Sequence, residues 1–139
     1  MSRKWYIGIP VVLLAVSVTM AASAQALRIA KVGDRMGSLV TGLTKIDGGP
    51  LGSCAAGAPV VSYVNYVVPG RPADDDNASF QALTIGGHVV AMIAYDEEDL
   101  NTAVAVYADI EGNGLVTNAW SIPEAPQLCA IVQGLHYQP

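Results

Sequence analysis

The chain has 139 residues, with 7 Lys and Arg against 12 Asp and Glu, a formal net charge of −5, and 52% hydrophobic against 14% charged residues. Disorder needs low hydrophobicity and high charge, and a nucleic-acid binder needs a basic stripe to neutralise phosphates, so both classes are excluded. One domain is expected at this length.

Arg3 and Lys4 precede an uncharged run from Trp5 to Leu27, with an apolar heart from Ile7 to Met20 and a tail of Ala22-Ser23-Ala24-Gln25-Ala26. A basic start, an apolar middle and small residues at alternate positions form a secretory signal peptide. It covers 1–24, with Ala26 as a second cleavage position. Losing Arg3 and Lys4 with it takes the net charge from −5 to −7, and 25–139 becomes the exported β-rich domain. The rival reading is an uncleaved membrane anchor over about 5–27, because a span needs about 20 mostly apolar residues and Pro10 is tolerated in lipid. Either form of this N-terminal hydrophobic helix leaves the domain outside the cytoplasm, extracellular or at the cell surface.

Beyond it, short runs rich in Val, Ile, Tyr and Thr alternate with turn signals at Gly33-Asp34, Asp47-Gly48-Gly49-Pro50, Pro69-Gly70-Arg71-Pro72, Gly86-Gly87, Gly112-Asn113-Gly114 and Pro123 to Pro126. The runs predict strands at 27–32, 38–46, 59–68, 79–85, 88–95, 103–110, 115–122 and 128–135. The last competes with a short helix within 124–134 opening at Pro126. The fold class is therefore all-β and mainly antiparallel, a small β-sandwich or barrel of about seven or eight short strands. Short connections make 79–122 an antiparallel meander.

Patterns differ between runs. Val60 to Val68 is apolar on both faces and reads as a central strand. In 103–110, Val104, Val106 and Ile110 oppose Ala103, Ala105, Tyr107 and Asp109; in 115–122, Val116, Trp120 and Ile122 oppose Thr117, Ala119 and Ser121. Seven acidic residues fall in two loops, Asp74-Asp75-Asp76 and Asp96-Glu97-Glu98-Asp99. The strand faces are left small and nearly uncharged, unlike a solvated sheet face, which points to burial against something such as another subunit.

Cys54 and Cys129 are the only cysteines, and in an exported chain an even pair reads as a disulfide. His88 and His136 are the only histidines. No Gly-x-Ser-x-Gly elbow accompanies them, so they read as surface or rim residues. A copper site from Cys129, His136, His88 and Met92 lacks a methionine after His136 and would strand Cys54. Asp109-Ile110-Glu111-Gly112-Asn113-Gly114 starts like a calcium loop, but its twelfth position is Trp120 instead of a bidentate Glu, so it reads first as a hairpin turn and only weakly as calcium. Asp96 to Asp99 could hold a cation together with Asp74 to Asp76, but solvated charge is the default reading of such runs. Asn77-Ala78-Ser79 is a weak N-glycosylation sequon at Asn77. Tyr63, Tyr66, Tyr95, Tyr107 and Trp120 suit core or cross-strand pairing before a sugar-binding surface.

No nucleophile–base pair, metal triad or cofactor loop is legible, so the expectation is a non-enzymatic structural or assembly subunit without cofactor. Its partner is protein: copies of itself in a surface filament, with Leu27 to Val32 added to a neighbour's sheet edge, or a larger membrane complex that it caps from outside. The alternative is a monomeric secreted module binding a sugar or calcium. A small hydrolase working through Asp109 or Glu111 is the enzymatic rival. No motif names a family.

Overall fold

The computed structural model describes residues 30–136. The expected signal peptide or anchor, and residues 27–29 of the first expected strand, lie outside the described residues. Six strands form one antiparallel sheet in chain order: β1 (Thr44–Ser53), β2 (Val60–Val67), β3 (Ala78–Ile85), β4 (His88–Tyr95), β5 (Ala103–Ala108) and β6 (Asn118–Ser121), with β1 and β6 at its edges. Antiparallel β architecture is as the composition indicated. Among the described residues the strand count is six, below the expected seven or eight, and the strands lie in a single sheet. One short helix follows, α1 (Leu128–Gln133). No helix among the described residues is long and apolar enough to cross a membrane.

The departures have local causes. Residues 30–32 form no strand; Gly33 N–H donates to Val116 O and Val116 N–H to Asp34 O, both at 2.8 Å, which ties this segment to its own chain. Residues Met36–Val40 form a 3-10 turn that buries Met36 and Leu39, and Gly42, at φ 83°, turns the chain into β1. β1 then runs straight through Asp47-Gly48-Gly49-Pro50, the predicted turn. It does so because bulges at 46–47 and 51 absorb extra residues against β2 and because Pro50 is tolerated on an edge strand. Gly48 is required there: a Cβ on it would collide with the backbone oxygen of Tyr63. β6 starts late because residues 114–116 pair outward with the N-terminal segment, through the Arg35–Leu115 bridge. The 128–135 run is helical, as the competing reading held. Leu128, Ile131, Val132 and Leu135 recur at the helical spacing and all pack against one face of the sheet.

Two apolar clusters occupy the two faces. The first gathers Phe80, Ala82, Met92, Ala94, Val104, Ala105 and Tyr107, roofed by Ala30, Met36 and Leu39 from the N-terminal segment. The second gathers Val61, Leu83, Ile85, Ile93, Tyr95 and Val106 under Ile122, Ile131 and their neighbours from the C-terminal segment. Burying each large apolar side chain contributes about 1.5–3 kcal/mol. β3, β4 and β5 are the most buried strands; β2, read as central, is an interior strand between β1 and β3 with apolar residues packed on both faces, and only its first residue, Val60, is exposed. Register shifts place Val90 and Val104 as extra residues, so Val104 shares a face with Ala105 and Tyr107, against the strict alternation expected. The small uncharged strand faces are thus packed against the 30–40 segment on one side and the C-terminal segment on the other.

Candidate functional site

The cysteines are joined: Cys54, just past β1, is bonded to Cys129 in α1, with Cα atoms 5.4 Å apart. This fastens the C-terminal cover to the far edge of the sheet. It also dismantles the copper set, since Met92 lies buried in the first-face cluster while Cys129 is committed to the bridge on the second.

The 109–114 loop is built around one carboxylate. Asp109, 3% exposed, keeps β-sheet connection through its own N–H to Val90 O at 2.9 Å. Its Oδ1 accepts from Gly112 N–H at 2.8 Å and Asn113 N–H at 3.1 Å, and its Oδ2 from Gly114 N–H at 2.6 Å. Three charge-assisted bonds close the loop that the Gly-Asn-Gly signal foretold. Ile110 N–H donates to Thr117 Oγ1 at 3.0 Å across its base. Asn113 Oδ1 accepts from Leu115 N–H at 3.1 Å, so the Asp109 and Asn113 oxygens of the calcium pattern shape the turn, while Glu111 faces His136. A pocket of about 190 Å³ is lined by this loop, the N-terminal turn and the start of β4, with Met36, His88, Val90, Asp109 and Gly114 among its walls. His88 stands at this pocket, while His136 lies elsewhere, its Nδ1 3.1 Å from Glu111 Oε1 with both side chains exposed. The two histidines are therefore separate.

Of the acidic loops, Asp74, Asp75 and Asp76 bring three carboxylates within 4.8 Å of one another, the one such grouping of three among the described residues. Asp74 Oδ1 accepts from Asp76 N–H at 3.1 Å and from Asn77 Nδ2 at 2.8 Å, which leaves that amide its second N–H. Asp96 and Asp99 cap their own loop, accepting from Glu98 N–H at 3.0 Å and from Thr102 Oγ1 at 2.7 Å. They do not join the first cluster.

The aromatic residues form no single surface. Tyr66 and Tyr107 pack on the first face, Tyr63, Tyr95 and Trp120 on the second, and Tyr95 and Tyr107 are buried. Burial pushes the Tyr107 and Tyr95 phenols far above the ordinary tyrosine range. Tyr63 is raised by burial and then by the carboxylates of Asp47 and Asp75, which locates the 68–77 loop beside β1 and β2.

One polar feature escaped the sequence reading. Asn65 Nδ2 donates to Asp47 Oδ1 at 3.0 Å, and Gln81 Nε2 donates to Asn65 Oδ1 at 3.0 Å, making a ladder across β1, β2 and β3. Asn65 and Gln81 are fully buried. Because the Asp47 carboxylate only accepts, it orients both amides, and Gln81 Oε1 is left buried with no partner among the described residues. The available signal was two amides interrupting otherwise apolar strands.

No protein-family model, no curated protein and no solved structure matches this chain.

Proposed function

We propose that the chain is a non-enzymatic exported assembly subunit that meets its protein partner through an edge of its sheet. The observation that supports this reading is the ten-residue edge strand β1. Both sheet faces are packed against described segments of the chain, so among the described residues the outward backbone row of β1 is the long unpaired element left for strand addition. Two bulges and Pro50 interrupt that row, a pattern that discourages open-ended self-addition. This favours a defined partner, such as a membrane assembly capped from outside, over a long filament. Donation of Leu27 to Val32 to a neighbour is not favoured, because Ala30 is 1% exposed within its own domain.

Sedimentation of the native protein, released from cells with and without detergent, tests the reading. Migration in a larger particle, with β1 amides protected from hydrogen exchange, supports it. A monomer under both conditions overturns it in favour of the binding module, whose cation, expected from sequence at Asp109 to Asn113, would then be sought by calcium titration there and at the Asp74 to Asp76 grouping.

A further inference from the structure

Asn113 is exposed at the tip of the 109–114 loop, and a Cβ placed on Gly114 would meet open space. Asn113 N–H donates to Asp109 Oδ1 at 3.1 Å, and two further hydrogen bonds bear on the chemistry of the pair. Gly114 N–H donates to Asp109 Oδ2 at 2.6 Å, and Leu115 N–H donates to Asn113 Oδ1 at 3.1 Å. We propose that Asn113–Gly114 is a self-modification site, where the folded loop assists conversion of the asparagine to aspartate and isoaspartate through a cyclic imide.

Each group has a role in that step. The Gly114 nitrogen attacks Asn113 Cγ, its proton passes to Asp109 Oδ2, and the carbonyl electron pair moves onto Oδ1. Leu115 N–H, already on Oδ1, polarises the carbonyl beforehand and holds the developing oxyanion. Collapse of the adduct breaks the Cγ–Nδ2 bond. The side-chain nitrogen takes the proton back from Asp109 and leaves as ammonia, and the five-membered imide remains. Water then opens the imide at either carbonyl, giving aspartate or, with one more methylene in the backbone, isoaspartate. The net change is water consumed and ammonia released.

The loop supplies proximity as well as acid–base partners. The Leu115 bond to Oδ1 closes a hydrogen-bonded ring that contains all five imide atoms: Asn113 Cγ, Cβ, Cα and carbonyl carbon, and the Gly114 nitrogen. The side chain is thus folded back along the chain toward its nucleophile, and glycine at 114 puts no side chain in the path. The consequence is structural. Met36 N–H donates to Gly114 O at 2.8 Å, and Arg35 bridges Leu115. An added methylene and a new carboxylate at 113 therefore act on the clasp that holds the N-terminal cover to the sheet.

The test is incubation of the full chain at neutral pH, with peptide mapping by mass spectrometry and isoaspartate detection at residue 113. Conversion in the folded protein is expected at least as fast as in the same chain unfolded in urea. Asp109→Asn is expected to slow it by about tenfold or more, and Asn113→Gln to abolish it. Slower conversion in the folded chain than in urea overturns the proposal, and that comparison needs no variant to fold. A folded Asp109→Asn protein that converts faster than the parent also overturns it, making Asp109 a clamp on the nucleophile.

Discussion

Replacing both cysteines by serine isolates what the bridge contributes. Cys129 is exposed and Cys54 half-buried, so the substitution opens no sizeable cavity, and packing loss is a minor part of the effect. The two residues are separated by 75 positions, and the closed loop holds every strand from β2 to β6. The chain-entropy relation for such a loop gives about 4.5 kcal/mol at 25 °C, a large share of the roughly 5–15 kcal/mol that stabilises a domain. At a urea m value of about 1.5 kcal/mol/M, the midpoint should fall by about 3 M. Urea unfolding followed by circular dichroism measures this, and m should rise as the unbridged unfolded chain expands. Hydrogen exchange should show residues 122–135 losing protection first, because α1 has six residues, no side-chain N-cap and one fully buried residue, Ile131. A loss below about 1 kcal/mol would refute the reasoning that the bridge acts by restricting the unfolded chain.

Gly48→Ala forces a methyl group onto the Tyr63 carbonyl and should destabilise by about 1–3 kcal/mol, read as a lower melting temperature; an unchanged one refutes the close approach of β1 and β2. Asn65→Leu removes both rungs of the polar ladder and leaves the whole Gln81 amide buried and unpaired, so it should lower stability by about 3 kcal/mol or more. Gln81→Leu strands only Asn65 Oδ1 while removing the unpartnered Oε1, so it should be the milder change in the same denaturation assay. Tyr95 and Tyr107 have folded pKa values above their unfolded value of 10.0. Above pH 10 the unfolded state binds fewer protons than the folded one, so stability is complete below that pH and falls as pH rises. The slope should approach about 1.4 kcal/mol per pH unit for each of the two phenols. Urea midpoints between about pH 9 and 11.5, with tyrosinate absorbance, measure it; a flat profile contradicts the burial of both rings.

Much of this molecule was settled by the order of its residues alone. β-branched runs set between glycine and proline signals located β2 to β5 closely, because each pleated segment must alternate with a residue able to turn. The cysteine pair was legible because two lone cysteines, in a chain read as exported, have little use other than a bridge. The 109–114 turn was legible because Gly-Asn-Gly suits positive φ, and Gly112 and Gly114 adopt it. What sequence could not carry was anything set by an element far along the chain. Asp47-Gly48-Gly49-Pro50 is a turn by local chemistry and a strand in fact, because β2 offers a backbone that only a glycine at 48 can approach. Strict alternation misassigned Val104, because a bulge is decided by how β4 and β5 fit together. Asn65 and Gln81 became a ladder only when β1 brought the Asp47 carboxylate alongside them. The bare strand faces, which by themselves called for another subunit, were covered by the N-terminal segment and α1, since burial of a face depends on where the chain ends return.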